Sequence, residues 1–164
     1  MTIEADPRPR ILSRGDAAGL IATLRSAGKT IVFTNGVFDL LHPGHVKYLE
    51  VARSLGDALI VGVNGDASVR RNKGPARPIT PELERAEMLA ALATVDAVVI
   101  FDEDTPAEIV EALQPDVLVK GSDWAADRII GRETVEARGG RVVRVPVEQG
   151  YSTTAILKRV TGDL

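Results

Sequence analysis

The sequence predicts an α/β fold in which one parallel sheet is covered by helices on both faces. Five short runs are rich in β-branched residues and almost wholly apolar, as expected of strands that are buried on both sides. Segments with the apolar spacing of helices separate these runs, and this alternation is typical of parallel sheets with right-handed crossovers. The five expected strands cover residues 30–34, 58–63, 97–101, 117–119 and 141–145.

Six helices are expected around these strands, and local signals support their boundaries. Thr80-Pro81 and Thr105-Pro106 each place a capping residue before a proline that suits the first helical position. The basic, proline-containing segment 70–78 instead predicts a loop, and loops often carry function. The expected helices cover residues 16–27, 43–55, 81–94, 106–113, 131–138 and 152–160.

The composition indicates one globular domain and disfavours several classes of partner. The chain has 164 residues, of which 45% are hydrophobic and 26% charged. A net charge of −3, with three Phe, two Tyr and one Trp, does not suit nucleic-acid binding. The lack of cysteine excludes disulfides, thiolate zinc sites and cysteine nucleophiles. No apolar run approaches the about 18 residues of a membrane span. We expect a flexible arm at residues 1–10, a single domain at residues 11–164, and a cytoplasmic protein without membrane partners.

Two histidines mark the turn that follows the first expected strand. Pro43 suits the first position of a helix, which makes His42 the N-cap and places His45 in the first turn. Residues three apart share a helix face, and the free N–H groups at a helix N-terminus favour an anion. Gly44 leaves room for close approach of a ligand to the backbone. Either histidine alone would be an ordinary cap, and the pair without a third ligand is incomplete for zinc. Together they predict a phosphate site.

A second candidate phosphate site lies at the start of the last expected helix. Ser152 is a suitable N-cap, and Thr153 and Thr154 follow it directly. Three successive hydroxyl groups at a helix N-terminus can donate hydrogen bonds to phosphate oxygens, although the same residues would also serve as an ordinary cap.

Polar segments also follow two other strands, where ligands bind in parallel α/β sheets. Residues 120–124 follow one strand and residues 64–66 another. The basic residues of segment 70–78, together with Arg85, could hold a second anion, because arginine forks and lysine ammonium groups both bind phosphate.

The motifs resemble those of a known enzyme family. The stretch NGVFDLLHPGHVKYLEVA resembles the HxGH signature of the cytidylyltransferase-like nucleotidyltransferases, and the STT at residues 152–154 resembles their second signature. Over about residues 10–160 the pattern is similar to the adenylyltransferase branch of ADP-heptose synthesis, which is often fused behind a sugar kinase. The resemblance implies a Rossmann-like domain that transfers AMP from ATP to D-glycero-D-manno-heptose 1-phosphate, giving ADP-heptose and pyrophosphate. It also implies Mg²⁺ carried by the triphosphate, a homodimer, and a separate sugar kinase as a working partner.

The resemblance assigns roles residue by residue. It makes His42, His45 and Lys73 catalytic. The implied nucleotide-binding residues are Asn35, Gly36, Phe38, Asp39, Gly44, Arg53, Lys120, Gly121, Asp123, Tyr151, Ser152, Thr153 and Thr154. The residues expected to bind the sugar phosphate are Asn64, Asp66, Arg77, Arg85 and Trp124. No protein ligand for a metal is assigned.

Three competing functions stay open from the sequence. The first is a glycerol-3-phosphate cytidylyltransferase; that group carries an Arg-Thr-Glu-Gly sequence before the second signature, whereas residues 147–150 here read VEQG, which argues against it. The adenylyltransferase branch is not matched at every position either, since Ser122 replaces a glycine and Val37 a frequent cysteine. The second is a non-catalytic nucleotide-binding module, and the third is a regulatory protein that binds zinc.

Overall fold

The sheet has five strands, all parallel, as the alternation of segments predicts. The computed structural model describes residues 10–162. The strands are β1 (Ile31–Gly36), β2 (Ala58–Asn64), β3 (Ala97–Phe101), β4 (Val117–Gly121) and β5 (Arg141–Val145). Their spatial order is β3-β2-β1-β4-β5, so the chain starts in the middle, builds one half of the sheet and then crosses over to build the other.

Helices cover both faces of the sheet. They are α1 (Arg14–Ser26), α2 (Pro43–Arg53), α3 (Asp66–Lys73), α4 (Glu82–Ala90), α5 (Ala107–Leu113), α6 (Arg132–Glu136) and α7 (Thr153–Thr161), with a short 3-10 helix at Ala126–Arg128. Buried residues of α1, α5 and α6, such as Ile21 and Ile109, pack with Phe33 on one face. Leu49 of α2 and Leu89 of α4 belong to the core on the other face. No helix within residues 10–162 is long and apolar enough to cross a membrane.

The prediction of a loop at residues 70–78 is wrong for its first four residues, because residues 70–73 belong to α3. The helix was not expected from apolar spacing because only Ser68 and Val69 are buried in it. Its charges nevertheless suit the helix dipole, with Asp66 in the first turn and basic residues in the last. Gly74 ends the helix with a φ of 94°, a value that glycine adopts without strain.

Other boundaries differ by a few residues. Helix α4 ends at Ala90 rather than near residue 94, and β4 extends to Gly121, so that Lys120 lies within a strand. Residues 1–9 of the expected N-terminal arm lie outside the described residues. Arg10, where the description begins, donates hydrogen bonds to the carbonyl oxygens of Ala90 and Val95 at 3.2 and 3.3 Å.

A crevice opens between β1 and β4, at the point where the strand order reverses. Their register includes Val32↔Val117 and Phe33↔Leu118 but no later pair, whereas β1 pairs with β2 along its whole length to Gly36. Side chains bridge the strands beyond this point. Thr34 Oγ1 donates to the Val119 carbonyl at 2.9 Å, and it lies 2.8 Å from Tyr48 Oη. Because Thr34 has one hydroxyl hydrogen, Tyr48 is the donor to Thr34.

Candidate active site

The carboxyl ends of the strands hold a cleft made of two adjoining cavities. The larger has a volume of about 590 Å³ and the smaller about 390 Å³. Their position at the switch in strand order is the usual ligand site of open parallel sheets. The residues that line both cavities are Asn35, Gly36, Val37, Phe38, His45, Lys73, Arg77, Lys120, Trp124 and Thr153.

The two histidines stack on each other at the start of α2. His42 is the N-cap, and its Nδ1 accepts a hydrogen bond from the His45 backbone N–H at 3.3 Å. The ring centroids are 3.7 Å apart with an interplanar angle of 14°. A neutral His42 therefore carries its proton on Nε2, since Nδ1 acts as an acceptor. That N–H is available as a donor to a ligand in the smaller cavity, which His42 lines.

Two glycines make this close packing possible. A Cβ on Gly44 would lie 3.0 Å from His42 Nδ1 and 3.1 Å from Tyr151 Cβ. A Cβ on Gly36 would lie 3.1 Å from the ring of Phe38, which contacts His45 edge-on at a centroid distance of 5.2 Å. Phe38 itself has a φ of 51°, an unusual value for a residue with a side chain. The turn after β1 therefore accepts local strain to place this ring beside His45.

The histidine pair is neutral near pH 7 when no ligand is bound. Burial, with a smaller contribution from the neighbouring His42, lowers the pKa of His45 to about 4, although the backbone of Leu40 opposes the shift. Burial also lowers the pKa of His42. Each neutral ring carries a single N–H and therefore offers a ligand at most one hydrogen-bond donor and no fixed positive charge. A polyanion bound beside them would favour their protonation and raise both pKa values.

A second helix N-terminus faces the same cavity. Ser152 caps α7 by accepting a hydrogen bond from the Ala155 N–H at 3.0 Å, and Ser152, Thr153 and Thr154 all line the smaller cavity. The Tyr151 ring lies 6.0 Å from the His42 ring, which joins the start of α7 to the start of α2. Two helix dipoles therefore act on one volume, an arrangement that favours an anion.

Lys120 is a buried cation in the wall that both cavities share. Its residue is 8% exposed, and its ammonium group donates to Asn35 Oδ1 and lies 5.7 Å from the Trp124 ring centroid. Burial lowers its pKa to about 8. Among residues 10–162 no carboxylate forms an ion pair with it. A buried ammonium group is costly when no anion compensates its charge, and here the open side of the group faces the cleft.

Two further cations belong to the larger cavity and its border with the smaller one. Lys73 is exposed at the end of α3, and Arg77 Nε lies 3.0 Å from Asp39 Oδ2. Asp39 is 2% exposed and also accepts hydrogen bonds from the backbone N–H groups of Ile79 and Thr80 at 2.8 and 2.9 Å. Asp39 thereby fixes both the loop and the guanidinium group at the mouth of the cleft.

A family model described as Cytidylyltransferase-like matches residues 33–159, from the third residue of β1 to the last turns of α7. The chain belongs to the cytidylyltransferase-like family. The matched region contains both helix N-termini and Lys120, and it confirms the resemblance on which the sequence interpretation depends. The expected Rossmann-like α/β fold and the expected class of enzyme, a nucleotidyltransferase, are likewise confirmed.

Curated relatives share the sequence closely but are much longer. The "Bifunctional protein HldE" of Syntrophotalea carbinolica is 51% identical over 158 residues, which cover 96% of this chain and 32% of that protein. The protein of the same name from Citrifermentans bemidjiense is 57% identical over 143 residues, which cover 87% of this chain and 29% of that protein. The chain thus spans about a third of the length of these relatives.

Solved structures share the fold. A lipopolysaccharide core biosynthesis protein from Thermoplasma volcanium is 32% identical with a TM-score of 0.64, and the match covers 74% of this chain and all of that one. A pantoate-beta-alanine ligase from Francisella tularensis has a TM-score of 0.60 at 14% identity, covering 85% of this chain and 67% of that one, and it shows the fold alone.

Most residues that the resemblance assigned to the site line the cleft of this family member. Those that line the smaller cavity alone are His42, Gly44, Gly121, Asp123, Tyr151, Ser152 and Thr154. Those that line both cavities are Asn35, Gly36, Phe38, His45, Lys73, Arg77, Lys120, Trp124 and Thr153. Asp39 and Asn64 line the larger cavity alone.

Arg53 lies far from the cleft, which corrects its expected place in the nucleotide pocket. It is the last residue of α2, and eleven helical residues extend about 16 Å from the histidines at the other end. Its side chain donates to the Gly56 carbonyl at 2.7 Å and pairs with Asp96 at 3.1 Å. Both partners precede strands, so Arg53 lies at the amino ends of the sheet.

The buried Arg85 pairs with the partly buried Asp66 behind the cleft. Neither residue lines a cavity, so the prediction that they bind the substrate is wrong. Arg85 is 0% exposed and pairs with Asp66 at 2.7 Å. It also donates to the carbonyl oxygens of Thr80, Val37 and Asn64 at 2.7 to 2.8 Å. These contacts occupy the guanidinium group and brace the ends of β1 and β2.

The sequence interpretation missed several lining residues. Asn72, Asp104 and Thr105 line the larger cavity, and Tyr48, Val147 and Glu148 line the smaller one. Asp104 and Thr105 follow β3, so the carboxyl-end rule that singled out the segments after β2 and β4 would have found them. Asn72 lies in the segment of residues 70–78 that was expected to carry function, but its amide was not singled out because that expectation depended on the basic residues.

The cleft offers a carboxylate to a divalent ion that arrives with a polyphosphate. Residues 10–162 contain no group of three or more His, Cys, Asp or Glu side chains that could hold a metal. Mg²⁺ at phosphate sites keeps several waters and uses one or two carboxylates besides the phosphates. Asp123, which lines the smaller cavity, offers one such carboxylate.

Proposed function

We propose that this chain transfers AMP from ATP to D-glycero-D-manno-heptose 1-phosphate and releases ADP-heptose and pyrophosphate. The observation that carries the proposal is a cleft with two adjoining anion sites that share His45 and the buried Lys120. Such a cleft suits a reaction in which two phosphorylated substrates meet. The choice of ATP and of a heptose is supported by the sequence resemblance and by the curated relatives named HldE.

The reaction needs positioning and charge stabilisation rather than proton transfer. An oxygen of the sugar phosphate attacks the α-phosphorus, a new P–O bond forms, and the bond to the β-phosphate oxygen breaks as pyrophosphate leaves. A phosphate monoester has a second pKa near 6 and is mostly dianionic at pH 7, so the nucleophile needs no general base. This agrees with a cleft whose histidines are neutral donors.

In this proposal, each group of cleft residues binds a different phosphate of the two substrates. His42 and His45 donate to oxygens of the α- and β-phosphates, where charge builds up as the leaving group departs. The hydroxyl groups of residues 152–154 hold the β- and γ-phosphates at the start of α7. Lys73 and Arg77 hold the sugar phosphate, and Lys120 lies between the two anions. Mg²⁺ bound to the triphosphate, with Asp123 as a candidate ligand, would neutralise part of the charge.

Two further features of the proposal concern partners. We infer a homodimer in solution, in the cytoplasm, where ATP is available. We also infer that a sugar kinase supplies the sugar 1-phosphate, since the reaction consumes a phosphorylated sugar. Size-exclusion chromatography with light scattering tests the dimer.

An acceptor screen tests the proposed function. Pyrophosphate release is measured with ATP or CTP against both anomers of the heptose 1-phosphate, glycerol 3-phosphate and FMN. We expect the highest kcat/KM for ATP with one heptose 1-phosphate anomer. A preference for CTP with glycerol 3-phosphate would indicate the alternative cytidylyltransferase, and nucleotide binding without pyrophosphate release would indicate a non-catalytic module.

A histidine variant serves as the internal check of this screen. His45→Ala should lower kcat by a factor on the order of 10²–10³, as for other lost transition-state donors. Circular dichroism of the variant should match the wild type. Unchanged turnover would contradict the role of His45 in the reaction.

A further inference from the structure

One wall of the larger cavity has no part in the phosphate chemistry described so far. It consists of residues 68–72 of α3 and the loop of residues 102–106 that follows β3, and we call it the α3–β3 wall. Asn72, Asp104 and Thr105 present its polar groups to the cavity, and Pro106 presents its apolar surface.

The α3–β3 wall is held together by side-chain contacts to backbone. Arg71 pairs with Asp104 at 2.7 Å and donates to the Asp102 carbonyl at 2.5 Å. Asn72 Nδ2 donates to the Asp104 carbonyl at 3.2 Å, and the buried Ser68 donates to the Glu103 carbonyl at 3.1 Å. These contacts tie the two segments to each other.

The polar atoms left free on this wall are those that bind hydroxyl groups. Within residues 10–162 nothing pairs with Asn72 Oδ1 or with the Thr105 hydroxyl. An amide oxygen accepts hydrogen bonds, and a threonine hydroxyl both donates and accepts. The wall also carries the Asp104 carboxylate, which disfavours an anion at this place.

The two sides of the larger cavity thus differ in chemistry. Lys73, Arg77 and Lys120 supply positive charge, whereas the α3–β3 wall supplies neutral or negative oxygen atoms. A ligand that matches both must carry a phosphate at one end and several hydroxyl groups at the other. Pro106 offers apolar surface for the C–H groups of a sugar ring.

We infer that Asn72 and Thr105 are specificity-determining residues that bind acceptor hydroxyl groups, so that the cleft selects an aldose 1-phosphate over a short phosphorylated alcohol. This inference rests on the proposed function, whose acceptor it places in the larger cavity. It assigns no role in the chemical step to either residue.

The test compares Asn72→Ala and Thr105→Val with the wild type. Both side chains are exposed to the cleft, so neither change disturbs the core. Asn72→Ala also removes the hydrogen bond to the Asp104 carbonyl, whereas Thr105→Val removes no contact within the wall and is the cleaner of the two variants. We expect kcat/KM for an aldoheptose 1-phosphate to fall about tenfold in each variant, as for one lost hydrogen bond. The KM for ATP and the turnover of glycerol 3-phosphate should stay unchanged. Thr23→Val, on the exposed face of α1, is the matched control and should change neither acceptor.

Calorimetric binding of the sugar 1-phosphate, without turnover, separates this inference from the proposed function. Weaker sugar binding in both variants, with normal binding in Thr23→Val, supports it. Unchanged sugar affinity in both variants overturns it even when the wild type makes ADP-heptose. Equal losses for the heptose and glycerol acceptors would overturn it as well, since the wall would then act on the phosphate. A wild-type protein that binds the sugar but releases no pyrophosphate would contradict the proposed function alone.

Discussion

At the scale of single residues, Lys120 shows how this molecule trades stability for binding. Its ammonium group is buried where β1 and β4 separate. Among the described residues, it donates a hydrogen bond to one side chain, the neutral amide of Asn35. The folded protein therefore carries an uncompensated charge until an anion enters the cleft. A buried charge of this kind costs stability, and a bound phosphate would recover that cost.

Replacing Lys120 with methionine should raise the melting temperature and weaken catalysis. The lowered pKa of about 8 means that the desolvation cost is fully present below pH 8. It is relieved as the pH rises toward the ordinary value of 10.5, because the unfolded chain then binds more protons than the folded one. Thermal unfolding should show Lys120→Met above the wild type at pH 7, with a smaller gap at pH 10. The value of kcat/KM should fall at least tenfold, as for other lost charge-stabilising donors.

The matched control is Lys29→Met, because Lys29 is half exposed and its Asp57 partner is 4.0 Å away. It should shift neither the melting temperature nor the rate by much. A Lys120→Met protein that is less stable than the wild type at pH 7 would show that the ammonium group has a partner that stabilises it.

At the scale of secondary-structure elements, buried polar side chains hold the ends of the strands in place. Arg85 reaches from α4 to carbonyl groups at the ends of β1 and β2 and to Asp66 at the start of α3. Asp39 holds the loop of residues 77–80 by two backbone N–H groups. The cleft is therefore shaped in part by Arg85, which lies behind it and lines neither cavity.

Arg85→Met should destabilise the fold strongly. Removal of the guanidinium group leaves Asp66 and three carbonyl oxygens without their donor, and breaking a buried ion pair costs about 3–5 kcal/mol of unfolding free energy. Urea unfolding at pH 7 measures the loss. Arg141→Met is the control, because Arg141 is exposed and makes one long hydrogen bond of 3.4 Å. A loss below about 1 kcal/mol in Arg85→Met would place this residue among ordinary surface pairs.

At the scale of the whole molecule, the elements that carry the candidate site differ in how far they are buried in the core. Strands β1 to β4 are buried between two layers of helices, whereas α7 has no buried residue although it carries the second anion site. Helices with few buried contacts open more readily than the core around them. Helix α2 is therefore anchored in the core by buried residues, whereas α7, on the other side of the cleft, is not.

Binding of ATP should therefore slow hydrogen exchange in α7 far more than in α2. The triphosphate would contact the hydroxyl groups at the start of α7 and order a helix that the core does not hold. Amide exchange followed by mass spectrometry should show about tenfold protection of residues 153–161 at saturating ATP. Little change is expected in β1, which is already protected. Equal protection of α7 in the presence of inorganic sulfate at matched ionic strength would mean that the effect is not specific for the nucleotide.

The sequence predicted those parts of the molecule that depend on local patterns. The five apolar runs became the five strands, and the histidines stand at the helix start that Pro43 indicated. The roles of Arg53 and Arg85 depended instead on where distant segments pass. A basic side chain looks the same in sequence whether it faces a cavity or lies buried against carbonyl groups. Helix α3 escaped prediction because charges and caps, rather than an apolar face, define it.

Because the β1–β4 ladder ends early, the residues that pair these two strands are not the residues that line the cleft. The two strands share their ladder only as far as Phe33 and Leu118, deep inside the core. Beyond that fork, Asn35 and Lys120 are joined by side chains alone. Substitutions of side chains beyond this point can therefore change the shape of the cleft without removing a pair of the β1–β4 ladder. The same fold can in this way accommodate different nucleotides and acceptors.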